Sequence, residues 1–270
     1  MLSCGIMQHV EPGMDQDEQD GDAFRHVPAL RGKLTPAEQS ELRVTVQRIE
    51  QWDQRARSRG MSADWRRPDA ELEATRRALL GEHVNARDLW VYGYGSLMWD
   101  PGFHFAEVRL ADLHGYRRRF CFKSTLGRGS REQPALMLSL EPGSGCCTGL
   151  AFRIAADLAD GESAILWRRE MIRGSYTPAL LPISTPQGDV TALVMTANTT
   201  HADYVGELPL DGAAAMIACA AGMLGSNRDY LEQLARQLAM LGIDDPYVAQ
   251  LQQRVRALAG VHSLEGLALK

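Results

Sequence analysis

The sequence lacks several features on which whole classes of function depend. None of its 270 residues lies in an uninterrupted apolar stretch of about 18 residues, so we expect no membrane-spanning helix. Basic residues are fewer than acidic ones, 29 against 34, and no large basic patch occurs, which disfavours nucleic acid and anionic membranes as partners. The start of the chain has neither a basic cluster nor a long apolar core, so we do not expect a secretory signal.

Cysteine and histidine are also sparse, and neither occurs in a metal-binding pattern. The five cysteines contain no CxxC pair, which is typical of a reduced, cytoplasmic protein. The seven histidines are scattered, and neither HExxH nor a zinc spacing of cysteine and histidine is present. We therefore expect neither a structural metal nor a catalytic one.

The most informative stretch is residues 91–99 (VYGYGSLMW). Its apolar start predicts a buried strand, and Gly93 and Gly95 allow the loop after it to turn and to approach a ligand closely. Backbone N–H groups in such a loop are able to cradle an anion. A tight turn beside a core strand accounts for the same pattern, and the residues alone leave both interpretations open.

Three common sites are excluded at this loop. The third glycine of the dinucleotide-binding fingerprint is missing, because Met98 stands in its place. No P-loop consensus occurs. Ser96 is flanked two residues away by Tyr94 and Met98, not by the glycines of a nucleophile elbow. A covalent serine mechanism is therefore not expected.

The apolar pattern divides the chain into three parts. Residues 1–33 are rich in acids with glycine and proline, which predicts a disordered tail. Residues 34–87 predict a helical extension, in which one helix begins with Thr35 as its N-cap and ends near Gly60, and a second spans residues 69–80. Residues 88–260 alternate with a period of two and end in helices, which favours an α+β domain over a doubly wound parallel sheet.

Within that domain we predict the following elements: strands at 89–92, 105–110 and 113–122; a hairpin of 135–140 and 146–154 around a turn at 142–145; a helix at 160–171; a second hairpin of 176–183 and 190–197; and helices at 211–224, 229–241 and 246–258.

Glu170 is a candidate proton acceptor. It lies in residues 167–171 (WRREM), near the predicted end of an apolar-faced helix. The helix dipole is unfavourable to a carboxylate there, and partial burial would raise its pKa, which suits a base working near neutrality. The alternative is an exposed Glu170 paired with a neighbouring arginine, and periodicity alone favours that alternative.

Arg118 is a second candidate, in residues 115–120 (GYRRRF). Strand alternation places Tyr116, Arg118 and Phe120 on one face. An inward Arg118 needs a carboxylate partner, either from the protein or from a ligand, so we include it among the substrate-binding candidates. The alternative is a basic strand on the outside of the protein.

These stretches, together with GRGS at 127–130 and GSNRDYL at 225–231, occur in one order. In this they resemble the ChaC-type γ-glutamylcyclotransferases, in particular their bacterial branch, over residues 88–258. The resemblance implies a small mixed β-barrel with helices packed outside it. It also implies cleavage of glutathione to 5-oxoproline and Cys-Gly, without cofactor or metal, in the cytoplasm.

The same resemblance assigns roles to individual residues. Glu170 matches the catalytic glutamate of the family, and Tyr230 matches a tyrosine near its pocket. The γ-glutamyl-binding loop corresponds to Tyr94, Gly95, Ser96 and Leu97. Two alternatives stay open from the sequence: a cyclotransferase for another γ-glutamyl amine or amino acid, and a non-catalytic regulatory binding protein.

Overall fold

The computed structural model describes residues 21–81, 84 and 86–268, with side chains described as far as residue 258. Six helices and seven strands lie within those residues. In chain order they are α1 (Val46–Ser58), α2 (Asp69–Leu80), β1 (Leu89–Gly93), β2 (Glu107–Ser124), β3 (Ala135–Ile154), α3 (Ala156–Glu170), β4 (Tyr176–Ile183), β5 (Val190–Ala197), α4 (Leu210–Cys219), β6 (Ala221–Gly222), β7 (Gly225–Ser226), α5 (Asn227–Met240) and α6 (Pro246–Ala268).

Five of the strands form one mixed sheet in the order β2-β3-β1-β5-β4. The short strand β1 lies at its centre, antiparallel to β3 and parallel to β5. Neighbours on both sides explain why its sequence is a continuous apolar run and not an alternating one. The loop that follows Gly93 therefore leaves the sheet from its middle.

The two edge strands of this sheet meet at one point. Asp112 of β2 and Ser184, which follows β4, exchange two backbone hydrogen bonds of 2.8 and 2.9 Å. Within the described residues, no further β-bridge joins these two edges of the sheet. The fold is thus a mixed α/β fold with a central sheet and six helices, and the closed barrel implied by the resemblance is not shown.

The predicted hairpin around residues 142–145 is wrong. Strand β3 runs without interruption from Ala135 to Ile154 and pairs with β2 on both sides of residues 143–145. Strand β2 likewise joins the two strands predicted at 105–110 and 113–122. The register shifts where His114 faces Cys146 and Tyr116 faces Pro142. Pairing with β2 therefore outweighs the proline–glycine turn signal, and the residues of the predicted turn form a bulge in β3.

The first helix begins later than predicted. Residues 37–39 form only a 3-10 turn, and α1 starts at Val46, where the Thr45 hydroxyl accepts a hydrogen bond from the Arg48 N–H. The backbone N–H of Thr35 instead donates to the carbonyl of Trp99 at 2.9 Å, which ties this segment to the loop after β1. The second helix, residues 69–80, is confirmed.

The N-terminal segment packs against the main body and does not stand out as a separate helical extension. Arg43 donates to both carboxylate oxygens of Glu162, at 2.6 and 2.9 Å. The Trp167 indole N–H donates to the Thr75 hydroxyl at 3.0 Å. The side chain of Leu30 is fully buried, so residues 21–33 differ from the predicted disordered tail, whose residues 1–20 lie outside the described part.

The later elements follow the prediction closely. Strands β4 and β5 have the predicted bounds, and α3 begins at Ala156 and ends at Glu170. The helix predicted for 211–224 ends at Cys219, and the small hairpin of β6 and β7 takes up the remainder. Among the described residues, no helix combines the length and the apolar character needed to cross a membrane.

Asn227 joins α5 to the sheet, and its replacement by alanine is expected to destabilise the protein. Its buried side chain accepts a hydrogen bond from the Leu136 N–H at 2.7 Å and donates to the Leu136 carbonyl at 2.9 Å. Alanine leaves both backbone groups buried without a partner, which costs about 2–4 kcal/mol. Urea unfolding of the variant measures this loss, and an unchanged midpoint would contradict it.

Candidate active site

A cleft opens at the end of β1, where six parts of the chain meet. It encloses about 320 Å³ of empty space, including the part open to solvent. Its walls come from β1 and the following loop, from β3, β4 and β5, and from the ends of α3 and α5, with the lining residues Tyr92, Tyr94, Gly95, Ser96, Leu97, Leu138, Glu170, Tyr176, Met195 and Tyr230. Six of the seven candidate site residues are thus brought together, and only Arg118 is absent from the lining.

The loop after β1 approaches the opposite wall so closely that Gly95 has no room for a side chain. A Cβ atom there would lie 2.9 Å from the Tyr230 hydroxyl oxygen and 3.2 Å from a methyl carbon of Leu138. A 3-10 turn begins at Ser96 and ends at Met98. The first N–H groups of such a turn have no partner within the turn. The Ser96 N–H is hydrogen-bonded to the Tyr230 hydroxyl and slightly opposes the rise in the pKa of Tyr230, so this part of the backbone already faces the cleft.

Glu170 ends α3 with its side chain only 14 % exposed. Burial disfavours the carboxylate and raises its pKa, and the nearby guanidinium of Arg169 partly opposes that shift. The Arg169 Nε lies 3.0 Å from Glu170 Oε1. Glu170 is therefore both ion-paired and largely buried, and the exposed alternative weighed from the sequence does not describe it.

Arg169 links this carboxylate to the loop, and the sequence interpretation missed it. Its side chain is 7 % exposed. One terminal nitrogen donates to the carbonyls of Asp100 and Pro101, at 2.7 and 3.0 Å, and the other donates to the Ser96 hydroxyl at 2.9 Å. A signal was present, because Arg169 continues the helical stripe of the buried residues Glu162 and Leu166.

Three tyrosines surround the carboxylate. The Tyr94 hydroxyl donates to the Met195 carbonyl at 2.9 Å, and the Tyr176 hydroxyl donates to the Leu138 carbonyl at 3.1 Å. Burial raises the pKa of each of the three phenols, and the neighbouring Glu170 raises it further; the pKa of Tyr230 rises to about 12. All three stay protonated near neutrality. Tyr176 had no distinguishing signal in the sequence.

Arg118 supports the loop from behind, outside the cleft. Its Nε donates to the Tyr94 carbonyl at 2.7 Å, and it also donates to the Thr148 carbonyl. The carboxylate partner that an inward Arg118 requires is Asp245, at 3.1 Å. The arginine thereby fixes the backbone at the start of the loop, and its own side chain is not part of the cleft lining.

The chemistry available in the cleft is proton transfer next to polar donors. The described partner of the Ser96 hydroxyl is a guanidinium and not a base, so the serine is not activated as a nucleophile. Within the described residues, no three histidine, cysteine, aspartate or glutamate side chains are grouped to hold a metal ion. A largely buried carboxylate of raised pKa, facing a tight loop, is the feature that remains.

The chain was compared with known families and proteins. The family model described as ChaC-like protein matches residues 89–258. The glutathione-specific γ-glutamylcyclotransferase of Escherichia coli is 37 % identical over 180 residues, which cover 66 % of this chain and 78 % of that protein. The human glutathione-specific γ-glutamylcyclotransferase 1 is 32 % identical over 158 residues, which cover 57 % of this chain and 71 % of that protein.

A solved structure shares the fold. The crystal structure of a yeast γ-glutamyl cyclotransferase specific to glutathione superimposes with a TM-score of 0.59 at 23 % identity. The match covers 63 % of this chain and 96 % of that one. At this identity the likeness is evidence of a common fold alone.

Proposed function

The chain belongs to the ChaC-like protein family, and from this premise we propose that it cleaves glutathione to 5-oxoproline and Cys-Gly. The curated relatives in E. coli and human carry the name of that activity. The observation that carries the proposal in this chain is the buried Glu170 carboxylate facing the loop of residues 94–97 across one cleft.

The reaction needs no nucleophile from the enzyme. The α-amine of the γ-glutamyl group attacks its own γ-carbonyl carbon and closes a five-membered lactam. The bond from that carbon to the cysteine nitrogen breaks, and the amine proton ends on the leaving Cys-Gly amine. The absence of an activated serine at Ser96 agrees with this chemistry.

In the proposed mechanism Glu170 moves the proton. The attacking amine must be neutral, so a base has to remove its proton, and a carboxylate of raised pKa is suited to this near neutrality. The protonated Glu170 then donates to the cysteine nitrogen as it leaves. One side chain thus acts first as base and then as acid.

The loop and the phenols position the substrate in this proposal. Backbone N–H groups at the start of the 3-10 turn bind the α-carboxylate or the oxyanion that develops on the γ-carbonyl oxygen. The protonated Tyr230 supplies one further donor without adding charge, since the hydroxyls of Tyr94 and Tyr176 already donate to backbone carbonyls. Holding the flexible glutamyl chain in a curled conformation removes much of the entropic barrier to ring closure.

Three further features belong to the proposal. The enzyme acts in the cytoplasm on a small molecule and binds no nucleic acid. Residues 88–260 form the catalytic domain, and residues 34–87 brace it through contacts such as that of Thr35 with Trp99. The sheet closes into a small barrel in this proposal, with the bridge between Asp112 and Ser184 as the point where its two edge strands meet.

The direct test is to incubate the purified full chain with glutathione and measure 5-oxoproline and Cys-Gly, with Glu170→Gln as the control. A panel of γ-glutamyl amines and γ-glutamyl amino acids tests the alternative substrates. Preference for one of these over glutathione would overturn the substrate assignment. Binding without turnover of any of them would favour the non-catalytic interpretation.

Ser96→Ala is expected to lower kcat/KM for glutathione by roughly 10-fold, the size of one lost hydrogen bond. The hydroxyl accepts from Arg169, so its own hydrogen remains free to donate to the substrate. Steady-state kinetics measure the effect, and Ser144→Ala, an exposed serine outside the cleft, is the matched control. Unchanged kcat/KM in the Ser96 variant would argue against the role of the loop.

A further inference from the structure

Arg128 lies against one wall of the cleft, and the site as described above does not use it. Its guanidinium carbon is 5.2 Å from the centre of the Tyr230 ring. One of its terminal nitrogens donates to the Ser226 carbonyl at 2.9 Å. Tyr230 lines the cleft, with its hydroxyl next to the loop at Gly95, so it connects the loop to Arg128.

The chain around Arg128 is built for close packing. A Cβ atom on Gly129 would lie 2.3 Å from the Ala135 nitrogen and 2.4 Å from the Ser124 carbonyl oxygen. A Cβ atom on Gly222 would lie 2.3 Å from the Gly127 carbonyl oxygen. The segment of residues 127–130 is thus held between the ends of β2 and β3 on one side and the β6–β7 hairpin on the other, so Arg128 projects from a fixed backbone.

Arg128 has no ion-pair partner in the described part of the chain. Among the described residues, no carboxylate oxygen lies within 4 Å of its nitrogens, and the charge of Asp229 acts on it only from farther away, raising the pKa of Arg128. Asp229 is hydrogen-bonded to Ser226, the N-cap residue of α5. Partial burial without an ion pair lowers the pKa of Arg128. A guanidinium with unused donors next to a binding cleft is suited to a carboxylate of the ligand.

Glutathione has two carboxylates, one at each end. In the proposed function the loop holds the γ-glutamyl end, and the glycine carboxylate must lie farther out. We propose that Arg128 binds the glycine carboxylate of glutathione and thereby selects the tripeptide over shorter γ-glutamyl compounds. This inference rests on the proposed function for the identity of the substrate.

The test combines a change in the enzyme with a change in the substrate. Arg128→Met is expected to raise KM for glutathione by roughly 10- to 100-fold, with a smaller change in kcat, since the lost contact is made in ground state and transition state alike. With the glycinamide analogue of glutathione, which lacks only that charge, the wild type is already impaired and Arg128→Met adds little. Arg131→Met, at an exposed arginine that directly follows the segment of residues 127–130, is the charge-matched control.

The same comparison is made by calorimetry in the Glu170→Gln background, with dissociation constants for glutathione and for the amide. This version does not depend on turnover, so a failure of the proposed activity stays distinct from a failure of this inference. Equal losses for both ligands on Arg128→Met would overturn the assignment, because the arginine would then act on the shared γ-glutamyl end or only on the fold. A loss confined to glutathione supports it.

Discussion

Replacing Glu170 with glutamine is expected to reduce kcat by a factor on the order of 10² or more, which is the usual size of a general-base contribution. The amide has nearly the same shape as the carboxyl group but cannot accept the amine proton. Glutathione binding should therefore be kept while turnover is lost. Initial rates of 5-oxoproline formation at saturating glutathione measure the effect.

The pH profile of the wild type tests the same role. Because burial raises the pKa of Glu170 above its ordinary value of 4.5, kcat/KM should rise with pH and reach half its plateau above that value. This acid limb should be missing from the residual rate of Glu170→Gln. A wild-type rate in that variant, or the same acid limb, would remove Glu170 from the mechanism.

Stability supplies an independent check that the variant is folded. A carboxyl group whose pKa is higher in the native than in the unfolded state binds more protons when folded. Its contribution to stability therefore falls as pH rises from the unfolded pKa through the folded one. Glutamine does not carry this penalty, so Glu170→Gln should match or exceed the wild-type stability at neutral pH. A variant that gains stability while losing turnover would identify a side chain kept for function.

Local signals in the sequence were sufficient where an element depends on its own residues. The hairpin of β4 and β5 was predicted with its observed bounds. Its turn signal at residues 186–189 includes Gly188, and in the structure this glycine adopts a positive φ of 111°. The helix of residues 69–80, followed by Gly81, was equally clear. In these cases no distant contact competes with the turn or the cap.

Prediction failed where a distant part of the chain decides the outcome. The turn signal at residues 142–145 is strong, but the long strand β2 pairs with both flanks and extends them into one strand. The capping pattern at Thr35 is clear, yet the Thr35 N–H donates to the Trp99 carbonyl and the helix starts only after Thr45. Both β2 and Trp99 lie far along the chain from the residues that carry these signals, so a local sequence pattern does not reveal them.

Dependence on distant contacts also limits what the sequence reveals about the site. The loop and Glu170 were found as separate motifs, and only their resemblance to a family joined them. The burial of Glu170 depends on Tyr176 and Tyr230, which lie on other elements. Arg118 was correctly expected to need a carboxylate, but whether Asp245 or a ligand supplies it is decided by tertiary structure alone.

Arg169→Met is the second change for which we expect a large effect, a loss on the order of 10²-fold in kcat/KM near neutrality. Arg169 holds both halves of the site, since it pairs with Glu170 and donates to Ser96 and to the carbonyls of Asp100 and Pro101. Methionine keeps much of the apolar stem but none of these donors. The loop then loses its fixed distance from the base.

The charge of Arg169 has a separate and measurable consequence. Its guanidinium lowers the pKa of Glu170 against the raising effect of burial. Without it, the carboxylate is disfavoured further, its pKa rises, and the acid limb of kcat/KM moves to higher pH. A residue that only stabilised the fold would reduce activity without moving that limb, so the pH profile separates positioning from folding.

Arg169→Lys is the matched variant that divides the two roles. Lysine keeps a positive charge near Glu170, so the acid limb should stay close to that of the wild type. It lacks the planar fork that reaches the Ser96 hydroxyl and two carbonyls together, so glutathione positioning should still suffer. An acid limb at the same pH in the methionine variant, the lysine variant and the wild type would show that Arg169 does not tune the base. The arginine would then be a brace for the loop alone.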